Sequence, residues 1–442
     1  MARFRLTVEV RPKAAPAARG AWRPKPPIRG TAPGRGLGLA VFRNRWLGRI
    51  AFVGVVFLVG VGAWNYLQPV PAVAASSYRP AQVAIAGTPP NLPWPAVGSA
   101  AVGVSGLGLI GTSGAAQPAP MASVAKVMTA MVVLADKPLA KGDTGPILIM
   151  SDQDVATYTA DALQGQSVVP VVLGEKLTEF EALQALLIPS GNNIAETLAR
   201  WDAGSVPAFV SKMNQRATSL HLTQTTFVDP AGLSTQTVST PADLLAMGMA
   251  AMQQEVLAQV VGLAEATLPV AGTVYNVNAS IGQSGIIGIK TGSGLNSGAT
   301  FLFAATATID GQQLTLYGCV MGQPTLDSAF TEAQTLIGTM RDTLRVRQVV
   351  SVYDVVGAYE TAWGDTSVLE ATTGAALVEW PGMILHQHLD AKPLVINGTT
   401  PGGLPGGKFD LALGDQQIEV PLVTQGALDS PGLPWRLFRI TF

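Results

Sequence analysis

The sequence holds one cysteine, Cys319, and only three histidines in 442 residues. A single cysteine excludes an internal disulfide. Its place in the apolar run 314–321 reads as a small buried hydrophobe rather than a reactive thiol. The absence of disulfides does not by itself fix a compartment. None of His221, His386 and His388 sits in a nucleophile-elbow motif, so a Ser-His-Asp triad has little support. His386 and His388 alternate on one expected strand face, but without a third ligand nearby they read as solvent-facing polar residues, not a metal site. Charge is also scarce, at 13% Asp, Glu, Lys and Arg against about a quarter in ordinary soluble domains. Apolar residues make up 48% of the chain and the mean hydropathy is +0.32. Part of the chain is therefore expected to lie in a membrane.

The formal net charge of −1 hides an asymmetry. Residues 1–49 carry twelve Lys or Arg and one acid, Glu9, which leaves sixteen bases and twenty-eight acids in the remainder. The segment 1–45 is rich in Pro, Ala, Gly and Arg without periodicity, and is expected to be a disordered basic tail. It is followed by IAFVGVVFLVGVGAWNYL at 50–67, a run free of charge apart from its tyrosine and close to the ~18–20 apolar residues that cross a bilayer. Arg43, Arg45 and Arg49 lie on one side, and Trp46, Trp64 and Tyr66 sit where interfacial aromatics are favoured. The positive-inside rule then predicts a single-pass transmembrane helix over 46–67 with a cytoplasmic N-terminus and everything beyond it extracytoplasmic. Ala72-Val73-Ala74 also resembles a small-residue cleavage site, so a removed signal peptide is the alternative. Either way the bulk of the chain is exported. With seven prolines from Gln68 through Pro95, residues 68–94 read as a Pro-rich linker.

A folded region follows. Residues 99–114 suggest a hairpin turning at Ser105-Gly106. Helices are expected over 123–134, 177–188, 193–201, 242–261 and 331–344, and strands over 285–291, 301–309 and 312–321, the last two joined by Asp310-Gly311. From 346 to 442 the texture changes to short β-branched and aromatic runs, ending in the apparent strand RLFRITF, the pattern of a small all-β domain.

Three short patterns carry chemistry. Hydrolysis of an acyl bond through a serine needs a base for the hydroxyl proton, a donor for the leaving group and N–H groups for the oxyanion. Ser123-Val124-Ala125-Lys126 puts a hydroxyl and an amine on one helix face. Lysine serves as a base only if burial or a nearby cation lowers its pKa. Lys290-Thr291-Gly292, at a strand end, offers that cation. Ser190-Gly191-Asn192, in a loop between two helices, offers a hydroxyl to relay a proton and an amide to bond a peptide carbonyl. Each pattern alone is weak: Lys126 reads as a snorkelling surface lysine, Ser190 as a helix cap and Lys290 as a strand-end charge. Together they are strong, because each occurs once in the chain and they stand in the order S-x-x-K, S-x-N, K-T-G. That is the ordered set of penicillin-binding proteins and class A β-lactamases.

On these residues the chain resembles the D-alanyl-D-alanine carboxypeptidase family, the low-molecular-weight, serine-type penicillin-binding proteins. The likeness extends to GEKL at 174–177, LIPSGNN at 187–193, Met213-Asn214, FVDPAGL at 227–233 and GIKTG at 288–292. It implies an α+β catalytic domain, an antiparallel sheet with helices plus a helical cluster, over 95–345, and a small β-domain over 346–442. It implies that Ser123 attacks the penultimate D-alanine carbonyl with Lys126 as base, while Ser190 and Lys290 pass a proton to the departing D-alanine. Asn192 would hold the acyl side chain, Lys290, Thr291 and Gly292 would meet the terminal carboxylate, and the N–H groups of Ser123 and Ser293 would hold the oxyanion. The implied partners are peptidoglycan stem peptides as substrate, β-lactams as covalent inhibitors and the membrane, with no nucleic acid, metal or other cofactor. A D,D-endopeptidase or β-lactamase using the same residues, and a non-catalytic wall-binding protein on this fold, are the alternatives; the C-terminal domain and the lack of an omega-loop glutamate motif count against the lactamase. Departures from the family pattern are Asn193, where Asp is also common, and Ser293-Gly294-Leu295, which lacks the larger residue usual after K-T-G.

Overall fold

The computed structural model describes residues 39–114, 117–294 and 296–440. The basic tail expected over 1–45 falls largely outside the described residues, as does Leu295. The described chain separates into two compact units, 39–68 with 436–439 and 69–435 with 440.

The first unit is built on helix α1 (Leu39–Leu67). Its stretch Trp46–Leu67 has a mean hydropathy of 2.0 and is long and apolar enough to cross a membrane. Within this unit Asn65 Nδ2 donates to Leu437 O at 2.9 Å, and the Arg439 guanidinium donates to the carbonyls of Asn65 and Gln68. The expected terminal strand RLFRITF begins as helix instead, since Leu433–Phe438 is a short helix, and its last two residues lie outside the described ones. Pro434 suits a first helical turn, where no N–H partner is required.

The second unit is built on two large antiparallel sheets, with four two-stranded ones beside them among the described residues. The first has five strands in the order Ile286–Gly294, Gly298–Ile309, Gln312–Gln323, Ser99–Val104 and Gly108–Ser113. Its long central hairpin turns at Asp310 (φ 47°) and Gly311 (φ 84°). Both residues lie in the left-handed region that a two-residue turn between twisted strands requires, and Asp-Gly supplies them at low cost. Side chains alternate across this sheet. Leu302 and Ala304 face a core of helices, whereas Phe301, Phe303 and Ala305 face the other way.

On the helical side lie α2 (Ala125–Asp136), α3 (Asp152–Leu163), α4 (Glu179–Leu187), α5 (Asn192–Ala203), α6 (Val206–Ser219), α7 (Pro241–Ala251) and α8 (Glu255–Val261). The stretch expected as one helix over 242–261 is two helices bent by 111°. α7 packs on the strands of the sheet, whereas α8 packs on α4 and the strand Ile286–Gly294, and these two surfaces are not collinear. On the other face α9 (Leu326–Thr343) sets Phe330 edge-on to Phe301 at 5.0 Å.

The second sheet has seven strands: Ala75–Ser77, Val355–Glu360, Thr366–Ala371, Gln416–Gln425, Pro405–Leu413, Ile384–Asp390 and Gln82–Ala84. Residues 68–94, read above as a spacer, thus supply the strands at both edges. Their prolines flank the two strands rather than interrupt them, and Val73, Ile85 and Leu92 are buried. One apolar core runs from Val102 and Phe301 in the first sheet to Tyr359, Leu369 and Phe409 in the second.

Candidate active site

Ser123 lies in a single 3₁₀ turn, Ala122–Val124, that leads into α2. Ala122 has φ 48°, an uncommon conformation for a residue with a side chain. Two glycines hold the turn in place. A Cβ built on Gly232 would stand 1.8 Å from Ala122 O, and one on Gly292 would stand 2.8 Å from Met121 O and 3.1 Å from Ser123 N. The glycine of the K-T-G triplet is therefore needed for the backbone of the strand to lie against the serine turn.

One helical turn beyond Ser123, Lys126 is completely buried. Its Nζ donates to Ser123 Oγ at 2.8 Å, Asn192 Oδ1 at 2.6 Å and Ala231 O at 3.0 Å. Burial, and secondly the charge of Lys290, hold its pKa well below the ordinary lysine value, with Asp229 and Asp161 opposing. Lys290 is 2% exposed, donates to Thr291 O at 3.0 Å, and is pushed down to about 7 by burial. Burial and the charge of Lys290 both disfavour protonation of Lys126, which is the condition a lysine base requires.

Asn192 opens α5, its backbone N–H donating to Ser167 O at 2.8 Å. Ser190, two residues earlier, is buried with φ 66° in the turn between α4 and α5. The next residue, Asn193, accepts from Val169 N at 3.0 Å and donates to Val169 O at 2.9 Å. An aspartate there would make only the first of these bonds, so asparagine suits this loop. Thr291 is buried in the strand beside Gly292.

Ser123, Asn192 and Ser293 line one cavity of about 310 Å³. Hydrogen bonds thus join Ser123, Lys126 and Asn192, Lys290 supplies a second buried amine, and Ser293 lines the same cavity as Ser123. No group of three or more potential metal ligands occurs among the described residues. His386 and His388 are both exposed on the strand Ile384–Asp390. Cys319 is buried in the sheet, which pushes its thiol pKa up.

Sequence reasoning passed over two contributors. Asp229 accepts from the N–H groups of Ala231, Gly232, Leu233 and Ser234 and from the Thr237 hydroxyl, at 2.6–3.0 Å. That cage fixes the loop whose Ala231 carbonyl meets Lys126 and whose Pro230 carbonyl accepts from Thr129 at 2.7 Å. Asp-Pro-Ala-Gly is a turn signal and could have pointed to it. The other is Gln166, which lines the cavity and accepts from Asn192 Nδ2 at 2.9 Å. It stands in a short irregular loop with no motif to mark it.

The family described as D-alanyl-D-alanine carboxypeptidase matches residues 109–325. A D-alanyl-D-alanine carboxypeptidase of Streptomyces sp. strain K15 is 33% identical over 202 residues, 42% of this chain and 67% of that protein. A D-alanyl-D-alanine endopeptidase of Pseudomonas aeruginosa is 34% identical over 140 residues, 32% of this chain, and the chain spans 42% of that relative's length. Penicillin-binding protein 5 of Haemophilus influenzae superposes with a TM-score of 0.58 at 19% identity, covering 78% of this chain and all of that one. That likeness is one of fold.

Proposed function

Since the chain belongs to the D-alanyl-D-alanine carboxypeptidase family, we propose that it is a serine peptidase that removes the terminal D-alanine from peptidoglycan stem peptides and is acylated by β-lactams. The observation that carries this reading is the buried Lys126 amine 2.8 Å from Ser123 Oγ. Its depressed pKa leaves a lone pair for the hydroxyl proton as Oγ bonds to the penultimate D-alanine carbonyl carbon. Asn192 bonds the acyl side of the substrate. The oxyanion rests on the N–H groups of Ser123 and Ser293, an assignment supported by the close approach of Gly292 to Ser123 N. The proton then passes through Ser190 and Lys290 to the amine of the departing D-alanine, whose carboxylate is held by Lys290 and Thr291 beside Gly292. Water attacks the acyl-enzyme, the acyl–Oγ bond breaks, and Ser123 recovers its proton. In this reading α1 anchors the protein and the second unit works outside the cytoplasm, where its substrate lies.

A second reading, cleavage of cross-links, is favoured by relatives such as the Pseudomonas protein, an endopeptidase by name. The test is labelling with a fluorescent penicillin beside a Ser123→Ala control, then release of D-alanine from a diacetyl-Lys-D-Ala-D-Ala peptide and cleavage of a cross-linked muropeptide dimer. Acylation of the wild type with at least about a thousandfold loss in Ser123→Ala is expected, with D-alanine release faster than dimer cleavage. The reverse order of rates makes the protein an endopeptidase; no label at all removes Ser123 as nucleophile.

A further inference from the structure

The Asn192 carboxamide is held from both ends, and one end is held by a residue to which the mechanism above gives no part. Oδ1 accepts from Lys126, and Nδ2 donates to Gln166 Oε1 at 2.9 Å. Gln166 is itself fixed: its backbone N–H donates to Asp161 O at 3.1 Å, just past the end of α3, and its Nε2 donates to Gln164 Oε1 at 3.1 Å.

A carboxamide is nearly symmetric in shape, so its hydrogen-bond partners decide which end is which. While Lys126 is an ammonium it can only donate, and it fixes Oδ1 toward itself. Once neutral, as a base must be, it also has a lone pair. A flipped Asn192 could then donate Nδ2–H to that lone pair and withhold it from Ser123. The acceptor oxygen of Gln166 opposes this flip, because the flip would set Oδ1 against Oε1.

We propose that Gln166 is a positioning residue, which holds Asn192 in the one orientation that leaves the Lys126 lone pair to Ser123. This rests on the reading of Ser123 and Lys126 as nucleophile and base. With Oε1 holding one N–H of Asn192, the second remains for a peptide carbonyl of the acyl donor. The charged groups acting on Lys126, namely Lys290, Asp229 and Asp161, are untouched by a neutral change at 166.

Linkage gives the test a signature. Gln166→Met keeps the length of the side chain and loses the strong acceptor. If the flipped form then dominates neutral enzyme about tenfold, the high-pH plateau of the acylation rate falls about tenfold and the midpoint of the acid limb moves down by about one pH unit. On the acid side the variant and the wild type converge. Gln166→Glu keeps an acceptor, so its plateau stays within about twofold of the wild type while its charge moves the midpoint up. The measurement is the second-order rate of fluorescent-penicillin acylation of the purified full-length chain in detergent from pH 5 to 10, with thermal unfolding alongside. A wild type that takes no label removes the catalytic reading and this inference with it. A wild type that labels, beside a Gln166→Met equal to it or slowed by the same factor at every pH, overturns the inference alone.

Discussion

At the scale of single residues, two buried lysines set the behaviour of the site. In the unfolded chain Lys290 titrates at its ordinary 10.5; in the fold it titrates at about 7. Between those values the unfolded chain holds the extra proton. The contribution of Lys290 to stability therefore rises as pH climbs from about 7 to 10.5, and is lowest and flat beneath that window. Lys290→Met should remove this slope. The variant should unfold several degrees above wild type at pH 7, the gap should close toward pH 10.5, and penicillin acylation should collapse throughout. Melting curves across that range, read beside labelling, check all three. The sequence made Ser123, Lys126, Asn192 and Lys290 legible because three rare local spacings fell in one order. It could not reveal Gln166 or Asp229, whose importance comes from bonds to residues far along the chain rather than from any local pattern.

At the scale of elements, Gly232 offers a sharp comparison with Gly204. Both have φ near +75°, but a Cβ on Gly204 meets nothing within 4 Å while one on Gly232 runs into Ala122 O. Gly204→Ala should cost about 1 kcal/mol and leave acylation unchanged. Gly232→Ala should cost on the order of 3 kcal/mol and slow acylation more than tenfold, because the serine turn must shift. Denaturant midpoints with acylation rates for the pair separate the backbone term from the clash. Elements with strong periodicity or turn chemistry were legible, among them α2, α4, α5, the 99–113 hairpin and the Asp310-Gly311 turn. α3 was not, because DQDVATYTADAL has few apolar residues to betray a helical face, although Ser151 and Asp154 form a capping box at its start. The break between α7 and α8 has no glycine or proline to announce it and follows from tertiary packing alone.

At the scale of the whole molecule, the second unit is stitched by its own leader. Val73, Ile85 and Leu92 are buried, and the strands Ala75–Ser77 and Gln82–Ala84 pair with Val355–Glu360 and Ile384–Asp390. A soluble chain beginning at Pro69 should keep the full sheet. One beginning at Pro95 should melt on the order of 10 °C lower, from the loss of three buried side chains and two edge strands. Differential scanning calorimetry of the two, with penicillin labelling, decides it; equal melting would show the edge strands to be ornamental. Because one apolar core spans both sheets, the longer chain should unfold in a single transition. A reading by local composition took 68–94 for a spacer because prolines dominate it, whereas the pairing that orders it lies with partners that appear much later in the chain.

That separation bears on how the protein comes to be made. Tyr78 bonds to Glu360 across 282 positions of sequence. During synthesis the first strands of the second unit appear before their partners exist, and such non-local pairing is slow to form. A chain interrupted before residue 355 would carry two unpaired strand edges and half a shared core. Incomplete products should therefore present themselves to quality-control proteases as unfolded from the N-terminal end onward, and only the finished polypeptide escapes them.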